Sequence, residues 1–384
     1  MIRDPESFNI LLGTIERFVR ERLIPREAEV VATDEIPQDL VAAMREMGLF
    51  GLTIPEQYGG LGLTMEEEVL VAMALCHASP CFRSIVGTNN GIGSLGIVID
   101  GTEAQKRQWL PKLARDEIIG SFALTEPGSG SDAGSLTTRA TREGDHYVIN
   151  GAKRYITNAP EAGLFTVMAR TDAASRDASG VSAFLVERAT PGLSVGHPDR
   201  KMGQRGSHTA DVVFENVRVP AENLIGGNEG QGFKTAMKVL DKARLTIAGV
   251  CVGAAERLLD DALAYAMERR QFGKAIGEFQ LVQAMLADSK ADIFAARSMV
   301  LEAARRRDSG ASITIEASCC KLFASEMVCR VADRAVQIHG GAGYMQEYAV
   351  ERFYRDVRLF RLYEGTSQIQ QLVIARGLLK QARA

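Results

Sequence analysis

The sequence contains no run of about 18 apolar residues, the length a helix needs to cross a bilayer, so no membrane-spanning helix is expected. It has no basic excess either. Its 45 Lys and Arg stand against 48 Asp and Glu, a net charge of −3, where a nucleic-acid protein shows a basic stripe. Its six cysteines, Cys76, Cys81, Cys251, Cys319, Cys320 and Cys329, form no C-x-x-C pair, which argues against a zinc knuckle or a thioredoxin-like site. They read as free thiols buried in a reducing cytoplasm, and no metal is expected. The N-terminus lacks the apolar stretch of a secretory signal. Asp4, Glu6, Glu16 and Glu21 argue against a mitochondrial transit peptide, so the expected location is cytoplasmic. Internal repeats and low-complexity linkers are absent.

What is present is ordinary globular composition, 46% hydrophobic and 24% charged, in a chain of 384 residues. At about 100–200 residues per domain that length makes two or three domains, large enough to bury a core without disulfides. The periodicity changes twice. Residues 1–118 read as helices, among them Asp39–Met47, Met65–Ala78 and Glu103–Ala114, the last bent or ended by Pro111. Residues 119–228 alternate with a period of two, with strands expected at Ser121–Thr125, Tyr147–Asn150, Leu164–Ala169, Val181–Val186 and Asp211–Phe214. No long helix lies between these strands to carry a parallel crossover, so an antiparallel β domain is expected. Residues 229–384 return to long Ala-rich helices, Phe233–Met267, Leu281–Arg307, Ile313–Ile338 and Gln368–Gln381, which suggest a four-helix bundle.

Five segments carry candidate chemistry. Ala123–Asp132 runs from a strand into a loop whose Gly128 and Gly130 permit positive φ and close backbone approach, with hydroxyls suited to a phosphate or a ring edge; taken alone, it reads first as a plain β-turn. The loop has neither G-x-G-x-x-G nor G-K-[ST], so neither a Rossmann fold nor a P-loop is indicated. Tyr155-Ile156-Thr157-Asn158 sets an aromatic and a hydroxyl on one strand. Arg269-Arg270-Gln271-Phe272-Gly273 joins two helices and could grip a pyrophosphate or answer a helix dipole. Gln337-Ile338-His339-Gly340-Gly341 ends a helix in a glycine cap. Tyr363-Glu364-Gly365-Thr366-Ser367-Gln368-Ile369-Gln370 puts a carboxylate before a turn that opens a helix, a place for a general base with free amides at hand.

Together and in this order, these motifs resemble the acyl-CoA dehydrogenase family over essentially the whole chain, most closely its short- and medium-chain members. The resemblance implies a helical domain, a β domain and a four-helix bundle. It implies FAD as cofactor, with Phe122, Leu124, Thr125 and Ser131 lining it, Tyr155 and Thr157 against its ring, and Thr366 and Gln368 completing the site. Many relatives carry Trp where Tyr155 stands. Arg269, Gln271, Phe272, Gln337 and Gly341 would reach the FAD of a neighbouring subunit, which implies a homo-oligomer, a dimer or dimer of dimers. Glu364 would be the base that removes the α-proton of an acyl-CoA, giving the trans-2-enoyl-CoA. Some relatives carry the base where Ala243 stands here, so that position is unable to serve. Asp241, Arg244, Ser131 and Gly365 would hold the acyl-CoA, and electrons would pass to an electron-transferring flavoprotein, as in fatty-acid β-oxidation. Phe82-Arg83-Ser84 resembles glutaryl-CoA dehydrogenases, where the arginine grips a distal carboxylate. This leaves a dicarboxylyl-CoA substrate as the alternative, and an oxidase or monooxygenase of the same fold as a third, disfavoured by the retained Tyr-Glu-Gly-Thr.

Overall fold

A computed structural model describes residues 1–175 and 177–383. Seven helices come first: α1 (Pro5–Phe18), α2 (Glu27–Thr33), α3 (Gln38–Glu46), α4 (Met65–Leu75), α5 (Pro80–Thr88), α6 (Leu95–Asp100) and α7 (Glu103–Ala114). Their starts are written in the sequence. Asp4 caps α1 ahead of Pro5, and Thr64 with Glu67 and Thr102 with Gln105 form capping boxes for α4 and α7. Pro111 lies inside α7 and does not end it.

Among the described residues, seven strands follow in one sheet: β1 (Gly120–Ala123), β2 (Arg139–Glu143), β3 (His146–Thr157), β4 (Leu164–Arg170), β5 (Val181–Glu187), β6 (Leu193–Val195) and β7 (Thr209–Pro220). The expectation of a purely antiparallel domain is corrected here. β1 pairs with β4 in parallel, Gly120 beside Leu164 and Ala123 beside Val167, and β2 touches β4 in the same sense. The connection a parallel pair requires is supplied by the β2–β3 hairpin rather than by a helix. The other pairs are antiparallel, and β3 against β7 shifts register between Lys153 and Ile156, a bulge.

The last part holds α8 (Gly232–Glu268), a hairpin of β8 (Arg270–Gln271) and β9 (Lys274–Ala275), α9 (Gln280–Asp308), α10 (Thr314–His339), α11 (Ala349–Val357) and α12 (Ser367–Gln381). α10 packs on α8, α9 and α12. At 37 residues, about 55 Å by helical rise, α8 ties all three parts together. Gly232 at its start abuts the backbone of β5, where a Cβ would lie 2.3 Å from the Ser182 carbonyl carbon. Further along, a Cβ on Gly253 would fall 2.1 Å from the Met73 oxygen, so glycine lets α8 press against α4. Among the described residues, no helix is long and apolar enough to cross a membrane.

Candidate functional site

The turn between α11 and α12 has a constrained backbone. Glu364 and Gly365 both take left-handed conformations, φ +56° and +89°. For glutamate that costs about 1 kcal/mol, so surrounding groups must hold it. Gln370 Nε2 donates to both the Glu364 and the Gly365 carbonyl at 3.0 Å. Lys321 Nζ donates to the Gly365 carbonyl at 2.6 Å, and Arg244 Nε to the Glu364 carbonyl at 3.4 Å. A Cβ at position 365 would come within 2.7 Å of Gln370 Nε2, so only glycine fits. Thr366 then caps α12, accepting from the Ile369 amide at 3.2 Å.

With its backbone held this way, Glu364 keeps its carboxylate free. Oε2 is buried and accepts no hydrogen bond among the described residues. Burial pushes the carboxyl above its ordinary range, countered by the charges of Arg83, Arg244 and Lys321 in that order. An oxygen in this state has an open lone pair and a raised affinity for a proton, the properties of a general base.

Glu364 lines a narrow cavity of about 40 Å³, with room for a few waters. Thr157 reaches it from the end of β3, Arg83 and Ser84 from α5, and Ala243 from α8. Its far wall is ionic. Lys242 lies 2.9 Å from Glu68, and Thr246 Oγ1 donates to Glu68 at 2.9 Å. Arg83 folds against Gly87, where a Cβ would sit 2.3 Å from the guanidinium carbon. Asp241 pairs with Arg244 at 2.7 Å, directing it to the Glu364 turn.

Beside this cavity the β domain offers a flat, partly open surface. Tyr155 sits on the β3 bulge with φ +58° and is 60% exposed, the Arg154 guanidinium 5.1 Å from its ring. Phe122 and Leu124 are buried. The Gly128–Gly130 loop differs from expectation: neither glycine takes positive φ. Both stand in open space, with nothing within 4 Å of a would-be Cβ, so the loop remains approachable. Glu126 in this loop is structural, fully engaged by Lys153, Thr137 and Thr138.

Not every candidate joins this cavity. Arg269 lies 25 residues beyond Arg244, and Gln337 lies 16 residues beyond Lys321. By helical rise these are about 37 Å and 24 Å away along α8 and α10. Phe272 stands 93% exposed at the hairpin tip with φ +50°, and His339 stacks on Tyr265 at 4.3 Å nearby. Arg269, Gln271, Phe272, Gln337 and Gly341 thus form a separate end of the bundle.

Sequence reasoning did not single out Lys321, Gln370, Glu68, Lys242 or Thr246. One signal was available: Lys321 falls in register with Ala317, Ala324 and Val328, a lysine on the buried stripe of α10.

Three family models match the chain in succession: the acyl-CoA dehydrogenase N-terminal domain over residues 5–117, the middle domain over 121–217 and the C-terminal domain over 230–379. The chain is 44% identical to the probable acyl-CoA dehydrogenase YngJ of Bacillus subtilis, over 95% of this chain and 96% of that protein. It is 41% identical to the caffeyl-CoA reductase–Etf complex subunit CarC of Acetobacterium woodii, over 97% and 98%. The solved butyryl-CoA dehydrogenase of Megasphaera elsdenii superimposes with a TM-score of 0.94 at 36% identity, covering 99% of this chain and all of that one.

Proposed function

The chain belongs to the acyl-CoA dehydrogenase family of oxidoreductases, and on that premise we propose that it removes two hydrogens from an acyl-CoA thioester to give the trans-2-enoyl-CoA, with FAD as cofactor. The observation that carries the reading is that Glu364, with an unpartnered buried oxygen, shares one cavity with Thr157 of the β domain. FAD suits the residues beside it: an exposed aromatic at Tyr155, the open Gly128–Gly130 loop with Thr125 and Ser131, and Thr366 and Gln368 at the start of α12. When bound, FAD supplies the acceptor for the hydride of the β-carbon.

The chain's own residues do the rest. Glu364 takes the α-proton on Oε2 and its amide donates to the thioester oxygen, stabilising the enolate character that develops there. Gly365 leaves room for that oxygen to approach, and Arg244 with Asp241 helps hold the acyl-CoA. Expulsion of water by the substrate strengthens Glu364 further as a base. In the reverse direction the same carboxyl returns the proton.

The exposed Arg269–Phe272 hairpin and the end of α10 suit a neighbour's FAD, which supports a homo-oligomer, a dimer or dimer of dimers. We take residues 1–118, 119–228 and 229–384 as its domains and the cytoplasm as its place of work in fatty-acid oxidation. An electron-transferring flavoprotein is the proposed electron acceptor; the CarC relative is named as part of a complex with one. A purified protein that binds about one FAD per chain and is bleached anaerobically by an acyl-CoA supports the reading. A colourless protein that fails to take up FAD, or one inert to every acyl-CoA tried, overturns it.

A second reading has an observation of its own: Arg83 lines the same cavity as Glu364. A cation there would favour a distal carboxylate, giving a dicarboxylyl-CoA dehydrogenase. The discriminating measurement is kcat/KM for glutaryl-CoA against butyryl-CoA on the same preparation.

A further inference from the structure

Lys321 is a lysine with no exposed surface, set on the buried stripe of α10. A buried ammonium is costly unless it is hydrogen-bonded and paired. Its hydrogen bond goes to the Gly365 carbonyl at 2.6 Å, on the turn that carries Glu364. The groups facing it are Glu364, Cys251 and Arg244 from α8 and the turn, and Glu326 from α10 itself. Around Glu364 stand Arg83 from α5, Arg244 from α8 and Lys321 from α10.

We propose that Lys321 is a positioning residue for the Glu364 base: it clamps the left-handed 364–365 turn and its charge keeps the carboxyl ionised between turnovers. This rests on the reading of Glu364 as the base and adds a residue to it. The two contributions separate on structural grounds. Gln370 Nε2 already donates to both carbonyls of the turn, so as a hydrogen-bond donor Lys321 is partly redundant. What Gln370 does not supply is charge. Arg83 lies in the substrate cavity, where an incoming acyl group can move it, and Arg244 is shared with Asp241 at 2.7 Å. Arg244 is also buried but has Asp241 as its partner, whereas Lys321 is fully buried, pairs with no carboxylate among the described residues and lies outside the cavity lining, so its field on Glu364 is weakly screened and independent of what the cavity holds.

Burial pulls Lys321 down to about 8, with Cys251 and Glu364 opposing, so it carries its charge at neutral pH. Removing that charge must raise the proton affinity of Glu364.

The test uses Lys321→Met, Lys321→Gln and Lys321→Arg in the holoenzyme. Two readouts are followed against pH: the rate of anaerobic flavin reduction by a saturating acyl-CoA, and the infrared band of protonated Glu364, identified by its loss in Glu364→Gln. In Lys321→Met and Lys321→Gln both midpoints should move up by about one pH unit, and Lys321→Arg should keep them near wild type. Unmoved midpoints in folded Lys321→Met or Lys321→Gln, with only a lower melting temperature, overturn the proposal. Failure of both to fold also overturns it, since Lys321 is then a folding determinant. If Glu364→Gln itself bleaches at the wild-type rate, the base lies elsewhere, and that outcome is distinct from any behaviour of Lys321.

Discussion

Two glutamates in this molecule sit beside buried lysines and end in opposite states. Glu126 in the loop after β1 lies 2.8 Å from Lys153 and also accepts from the Thr137 amide and hydroxyl and the Thr138 amide. Burial would raise its pKa, but the Lys153 charge and these hydrogen bonds outweigh it and bring it down to about 2. Glu364 has cations around it too, yet its Oε2 receives no hydrogen bond and burial wins, so its carboxyl is held above the ordinary range. The lysines themselves come out alike, each drawn down to about 8, chiefly by burial. The difference is therefore in direct donors, which Glu126 has and Glu364 lacks. A carboxylate saturated with donors is a structural strut; one surrounded by charge but left unbonded is reactive.

The largest effect that can break this contrast is kinetic. Glu364→Gln keeps the volume and removes the proposed base, and should slow anaerobic flavin reduction by about 10²–10⁴-fold while FAD content and acyl-CoA binding persist. Near-normal bleaching would move the base elsewhere.

Next comes the strut. Lys153→Met leaves Glu126 as an uncompensated buried charge and should cost about 3–5 kcal/mol, read by denaturant unfolding. Little loss would mean that the threonine donors alone satisfy Glu126. The Glu364 turn lies on a separate element, so the apparent pKa for flavin reduction should stay put in whatever fraction folds.

A third test uses the sign of pH linkage. Glu126 has a lowered folded pKa, so its contribution is fully present above about pH 4.5 and is lost as pH falls toward about 2. Glu364 has a raised one, so its ionisation penalises the fold, increasingly as pH climbs from 4.5 through its folded value. At neutral pH, Glu126→Gln should therefore melt below wild type and Glu364→Gln above it. Both gaps should shrink in acid. Shifts of the same sign in the two variants would erase the contrast.

Much of this architecture was legible in sequence. Helices α8, α9 and α10 lie within a residue or so of their expected ends, because 25 or more residues of 3.6 periodicity leave little freedom, and the 15-residue α12 does so too. The parallel β1–β4 pair was not legible, because a hairpin took the place of the crossover helix that parallel pairing was assumed to need. Strands β2 and β6 were missed: Arg139–Glu143 is mostly charged, and Leu193–Val195 is only three residues long. Helix α5, which carries Arg83, was missed as an element, its short Pro-initiated segment lacking a clear period. Glu364 was legible because its turn is local. The cations around it were not: Lys321 lies 43 positions upstream and Arg83 much farther, and neither spacing marks a contact in advance.

The smallest predicted effect separates support for the turn from the carboxylate it carries. Thr366 accepts the Ile369 amide and so caps α12, besides its proposed place near FAD. Thr366→Ala removes that cap and should cost about 1 kcal/mol of stability, whereas Thr366→Ser keeps an oxygen in place and should cost less. Neither change alters the charge around Glu364, and Gln370, Lys321 and Arg244 still hold the carbonyls of residues 364 and 365. The pH midpoint of flavin reduction should therefore stay where it is in both variants, with melting temperature the quantity that moves. A shifted midpoint in Thr366→Ala, absent from Thr366→Ser, would mean that the cap sets the position of the carboxyl itself. The unbonded state of Glu364 would then depend on the start of α12 as much as on the cations around it.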